Sequence, residues 1–356
     1  MYKDDNTKKE NCQDVLRDVK NGKVQPWKQK KAKNMILADS LHRLEQNKKA
    51  NRVWWCASTL VYERALETGE EWLKTAAFCR ERLCPMCQWR KSKKVYFQVS
   101  RIMDVAEQRH ADYVPIFLTM TVRNCVDIEL SKVIDDVLTG WRNFNDHYKS
   151  RKIVKGWFRA LEVTYNGEEY ITQELYDKYN DKNSDKSKYY DNRGLSVGDK
   201  NPNYDTFHPH IHAVLLVDKS YFKGDDYMHT SDWAKLWQTS VGLDYTPTCH
   251  IRTVTSGKKK RKEVAELAKY TLKDSEYLTR DEELTDKLVS VLGDSLKGRR
   301  LYAFGGVLKK IAKELDAERP DEGDLVHIDE DSIREDIATV LEVYRWSFGF
   351  GNYFKE

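Results

Sequence analysis

His210 and His212, in the run Phe207-His208-Pro209-His210-Ile211-His212-Ala213-Val214-Leu215-Leu216-Val217, are the residues of this sequence best spaced to do chemistry. A strand alternates faces at every residue, so both imidazoles project from one side while Ile211 enters the opposite layer. The apolar residues that follow point to a central strand. Two imidazoles on a rigid strand can bind a divalent ion with little reorganisation; the plainer reading is a hydrogen-bonded pair near a sheet end. Glu162 lies among apolar residues in a second strand pattern, Trp157 to Tyr165. An unpaired carboxylate there is costly. If the two strands are neighbours, Glu162, His210 and His212 form a two-histidine, one-carboxylate face for Mg²⁺ or Mn²⁺. Alternatively, Glu162 pairs with Arg159 or another base.

Seven cysteines stand at 12, 56, 79, 84, 87, 125 and 249. An odd number in a chain without a hydrophobic leader argues against a disulfide framework. Cys84-Pro85-Met86-Cys87 is a tight knuckle whose thiolates can share one tetrahedral Zn²⁺, with Cys79 close by and Cys56 returning to close the site. Arg80, Arg82, Arg90 and Lys91 favour the thiolates. A redox pair needs a thioredoxin-like unit, which is absent. A zinc deaminase needs a proline before the first cysteine and a His-x-Glu upstream. Cys12, Cys125 and Cys249 read as ordinary small residues.

A third group lies on a predicted helix, Lys259 to Asp274. Glu266, Tyr270 and Lys273, at i, i+4 and i+7, form its polar side, just after the basic run Lys258 to Lys262. A tyrosine can attack a phosphodiester and conserve its energy, but a phenol with a pKa of about 10 needs a metal to polarise the phosphate. The alternative is an amphipathic surface helix with an incidental tyrosine.

These groups need elements to hold them. Helices are predicted from Lys33 to Asn47, Lys91 to Gln108, 126–149 and 231–240, and strands at Tyr113 to Val122, Thr248 to Val254 and Arg300 to Phe304. Asn166 to Asp205 reads as a long excursion between paired strands. The pattern implies an α+β fold, a central antiparallel sheet flanked by helices. The expected division is 1–95, a basic segment and cysteine region; 96–280, the catalytic domain; and 281–356, a C-terminal helical region with an acidic tail. With 356 residues, 40% of them hydrophobic, the chain has room for about two domains. No apolar run approaches a membrane span, and the N-terminus lacks a hydrophobic signal, so a cytoplasmic protein without membrane contact is expected. Net charge is only +4. Its distribution is uneven: seven bases and one acid between Arg17 and Lys33, against eleven acids and two arginines between Glu314 and Asp336. A basic body suits a polyanion partner.

In order and spacing, these motifs resemble the HUH endonuclease superfamily, and more closely the Rep_1-type replication initiators of rolling-circle plasmids of Gram-positive bacteria. The resemblance rests on Phe78-Cys79-x4-Cys84-Pro85-Met86-Cys87-x-Trp89-Arg90, Phe117-Leu118-Thr119-Met120-Thr121, Leu161-Glu162-Val163-Thr164-Tyr165, Pro209-His210-Ile211-His212 and Ala268-Lys269-Tyr270-x-x-Lys273. It covers roughly residues 10–310 and leaves the tail beyond about Leu315 outside. It implies that His210, His212 and Glu162 hold the divalent ion and that Tyr270 is the nicking nucleophile. Glu266 then activates water at termination, and Lys273 contacts the scissile phosphate or supports the metal site. His208 is expected at the rim, with Tyr277 the fallback nucleophile. The implied partners are plasmid origin DNA and a host helicase and polymerase; the residues leave open whether a second copy of the chain is a further one. No Gly-x4-Gly-Lys-Ser/Thr motif is present for unwinding. A transposase or relaxase with the same site, a metal phosphodiesterase, and a zinc-dependent DNA-binding regulator without cleavage are the competing classes.

Overall fold

A computed structural model describes residues 15–20, 22–179, 188–253, 272–317, 319–320, 322–328 and 337–356. The chain forms two compact units, residues 1–94 with 323–356, and residues 95–322.

The larger unit is built on a five-stranded antiparallel sheet. In spatial order its strands are Cys249–Thr253, Tyr113–Thr121, Thr206–Asp218, Val154–Asn166 and Tyr302–Gly305. The histidine strand is therefore the central one, as its apolar run from Ala213 to Val217 implies; all five of those residues are buried. A strand covered on both sides reads as a continuous apolar run rather than an alternation. Val154–Asn166 pairs directly with Thr206–Asp218, and the long excursion 167–205 joins them. Helix Asp127–Asp146 presents Leu130, Ile134, Val137, Trp141 and Phe144 as its buried stripe. Trp141 meets Trp157 of the sheet edge to face, and Phe144 meets Trp233 of helix Thr230–Val241. These contacts cover the sheet face opposite Glu162.

In the smaller unit, a four-stranded antiparallel sheet takes the order Asn352–Lys355, Thr339–Ser347, Thr59–Ala65, Glu71–Ala76. Helices Trp27–Arg43 and Asn47–Trp54 pack against each other beside it. The helix Pro85–Arg109 begins in this unit and ends in the larger one.

This division differs from the expected one. Residues 281–356 are not one C-terminal region. Tyr302–Gly305 completes the large sheet, whereas Thr339–Ser347 pairs with Thr59–Ala65 some 280 residues earlier. The reason lies in Val-Leu-Glu-Val-Tyr-Arg-Trp, a β-branched and aromatic alternation that buries Tyr344 and Trp346. Among the described residues, no helix is long and apolar enough to cross a membrane.

Candidate active site and metal centres

The register of the large sheet sets Glu162 directly opposite His210, and Thr119 directly opposite His212. All four side chains share one face because paired residues across an antiparallel ladder point the same way. Glu162 Oε2 lies 2.9 Å from His212 Nε2 and 3.4 Å from His210 Nε2, and the two Nε2 atoms are 3.1 Å apart. An octahedral ion with bonds of about 2.1 Å sets neighbouring ligand atoms about 3.0 Å apart. The three atoms fit one face of such a shell. His210 Nδ1 donates to the His208 carbonyl at 3.0 Å, and His212 Nδ1 is 3.0 Å from Thr119 Oγ1. A carbonyl only accepts, so His210 Nδ1 carries a proton, which leaves Nε2 as the ring nitrogen that can bind an ion.

Burial pushes the Glu162 carboxyl up, but the adjoining imidazoles outweigh it and hold the group well below the usual carboxylate range. It therefore stays ionised, as a ligand must. The alternative pairing with Arg159 does not occur: Arg159 belongs to the opposite face and donates to the carbonyls of Arg300 and Leu301. His208 stacks on His210 at 5.1 Å, and burial pushes it down to about 4 with the help of its histidine neighbour. It is a neutral flanking ring at neutral pH.

The cysteine cluster is equally compact. Cys56 follows helix Asn47–Trp54, Cys79 follows the strand Glu71–Ala76, and Cys84 and Cys87 bracket the start of helix Pro85–Arg109. The sulfurs of Cys56 and Cys87, Cys79 and Cys87, and Cys84 and Cys56 are 3.6, 3.7 and 3.6 Å apart. Tetrahedral Zn²⁺ with bonds of about 2.3 Å requires sulfurs about 3.8 Å apart. Amide N–H groups of Cys79 and Arg80 donate to Cys56 Sγ and Cys87 Sγ at 3.4 and 3.2 Å. Arg80 adopts φ +60°, which turns its N–H toward that sulfur. Lys31 is fully buried beside the cluster, and its ammonium donates to the Cys56 carbonyl and Ser58 Oγ. Burial pushes it down to about 8, against the pull of the nearby sulfurs. Cys125 and Cys249 are simple buried thiols pushed up to about 12 by burial.

Glu266 and Tyr270 lie outside the described residues, as do Cys12 and the basic run Lys258 to Lys262. Lys273 departs from expectation. It is extended (φ −84°, ψ 126°) and caps the short helix Asp274–Tyr277, so the polar line Glu266, Tyr270, Lys273 does not continue to i+7 on one helix. Its Nζ pairs with Glu276 at 3.4 Å, and Glu276 in turn accepts from the Tyr165 amide on the Glu162 strand. Tyr277 is 1% exposed, which removes it as a fallback nucleophile. Thr119 and Glu276 had no assigned role in the sequence reading. The period-2 pattern around Thr119 could have placed it on the site face; nothing local marks Glu276.

The family model described as "Replication protein", Rep_1, matches residues 70–354. Among curated proteins, the chain is 33% identical to a "Protein rep" of Bacillus amyloliquefaciens, with 97% of this chain and 98% of that one aligned. It is 32% identical to a "Protein rep" of Lactiplantibacillus plantarum, over 94% and 97%. A "Replication protein" of Staphylococcus aureus is 30% identical over 65% of this chain and 86% of its own. No solved structure matches. The likeness extends past residue 315 to the end strands, so the C-terminal segment belongs to the shared architecture rather than outside it. The chain is a member of the Rep_1 family of replication proteins.

Proposed function

We propose that the protein initiates plasmid replication by nicking one strand of its origin DNA through an HUH-type site. The observation that carries this reading is the convergence of Glu162 Oε2 with the Nε2 atoms of His210 and His212 on the central strand. A Mg²⁺ or Mn²⁺ bound there supplies Lewis-acid polarisation of the scissile phosphate. The Tyr270 phenol gives up its proton to solvent, and its oxygen forms a bond to phosphorus as the bond from phosphorus to the 3′-oxygen breaks. The 3′-oxygen takes up a proton, and the 5′ end stays joined to the protein as a phosphotyrosine. One ester replaces another, so the energy is kept for rejoining. Glu266 acts as general base toward water at termination. Lys273, half exposed beside Glu276, offers its ammonium to the phosphate. The four cysteines hold a structural Zn²⁺. A host helicase and polymerase extend the freed 3′-OH, and a second copy of the chain is a further partner.

The test is denaturing electrophoresis of protein incubated with Mn²⁺ and labelled single strands from the encoding replicon's origin, comparing wild type with Tyr270→Phe. A metal-dependent covalent adduct, lost in the variant, is expected. Cleavage without an adduct would mean hydrolysis, and tight binding without cleavage would mean a regulator.

A further inference from the structure

The smaller unit carries an aromatic and basic surface that the nicking reading does not use. Helix Asn47–Trp54 has three cations, Lys48, Lys49 and Arg52, and no acid. Lys48, Arg52 and Trp55 follow one another at i, i+4 and i+7, so they lie along one face, and all three are exposed. Arg52 pairs with Glu81 at 2.9 Å but leaves 59% of its side chain in water.

Trp55 is 60% exposed. It is nevertheless held in place: its ring meets Phe348 edge to face at 5.6 Å, and Phe348 stacks on Trp54 at 5.3 Å with planes 7° apart. Phe348 belongs to the turn between strands Thr339–Ser347 and Asn352–Lys355, whose tip also presents Phe350, 73% exposed. Phe350 is supported by an edge contact with Phe354 at 5.6 Å. Two large rings left in water on fixed supports, beside a helix face of one charge sign, differ from scattered surface apolar residues.

The geometry points to a stacking platform for unpaired DNA bases, with Trp55 and Phe350 as the stacking rings and Lys48 and Arg52 as phosphate contacts. Exposed rings flanked by cations suit an anionic, π-faced ligand. Exposed aromatic rings also mark protein interfaces; the single charge sign of helix Asn47–Trp54 is what favours an anionic partner. The platform lies in the unit that does not contain Glu162, His210 and His212. Its role is to hold melted origin DNA, which deepens the proposed initiation without sharing its chemistry.

The test uses the full-length protein without added divalent ion, so that binding alone is read and a failure of the nicking reading leaves the result intact. Labelled oligothymidylate of about 16 nucleotides is compared with an abasic strand of equal length. Trp55→Ala and Phe350→Ala should each weaken oligothymidylate binding at least about fivefold and leave abasic-strand binding unchanged. Trp55→Phe should restore most of the loss. Lys48→Glu should weaken both strands and flatten the salt dependence. Phe350 is exposed enough that its truncation leaves the fold intact, which a melting curve checks. Equal losses on both strands, or no loss on either, as a protein-docking surface would give, overturn the proposal.

Discussion

At the scale of single residues, the orientation of an imidazole is set by whatever its far nitrogen touches. His210 is fixed by a backbone carbonyl, which no substitution removes. His212 instead depends on the Thr119 hydroxyl. Thr119→Val keeps the shape and removes that hydrogen bond. It should weaken Mn²⁺ binding about tenfold, read by calorimetry or by loss of the free Mn²⁺ EPR signal, whereas Thr119→Ser should bind as wild type does. Equal affinities for the valine variant and wild type would mean that the hydroxyl plays no part. The histidine pair was legible in the sequence because period-2 geometry needs no tertiary information. Thr119's contact was not, because it exists only once the neighbouring strand and its register are known. Lys273 misled for a related reason: a helical pattern on paper cannot show that Lys273 itself takes an extended conformation.

Whole elements were easiest to read where one face is buried locally. Trp141 and its helix, and the Val154–Asn166 strand, carry their periodicity in consecutive residues. The junction between Tyr302–Gly305 and helix Gly306–Glu314 was not legible, although it fixes the outer edge of the site's sheet. Gly306 turns there with φ +56°, and a Cβ on it would lie 2.3 Å from the Lys155 carbonyl oxygen. Gly298 has φ +70° but open space around it. Alanine at 298 should therefore cost only the left-handed backbone penalty, about 1–2 kcal/mol. Alanine at 306 adds a backbone collision and should cost about 3 kcal/mol or more. Urea midpoints of the two variants separate these terms. Equal losses would show that the strand edge yields freely at Gly306.

Across the whole molecule, the chain ends meet in a way that no local pattern shows. The strand Thr339–Ser347 lies beyond the acidic segment, yet it pairs along its length with Thr59–Ala65. Glu342, buried within that strand, is matched by Arg64 at 2.7 Å and Lys355 at 2.8 Å, so one carboxylate ties three strands together. The Tyr353 hydroxyl donates to the Ala57 carbonyl, next to Cys56. The proposed Zn²⁺ therefore closes a unit whose sheet is drawn from both ends of the sequence. A metal that binds only the folded state adds its binding free energy to folding. Removing the metal with a thiol-compatible chelator should expose Thr59–Ala76 and Thr339–Lys355 to hydrogen exchange together. The central strand Thr206–Asp218, in the other unit, should keep its protection. If Thr339–Lys355 stayed protected while Thr59–Ala76 opened, the two segments could not be parts of one cooperative sheet, because each strand's amides need the other's carbonyls.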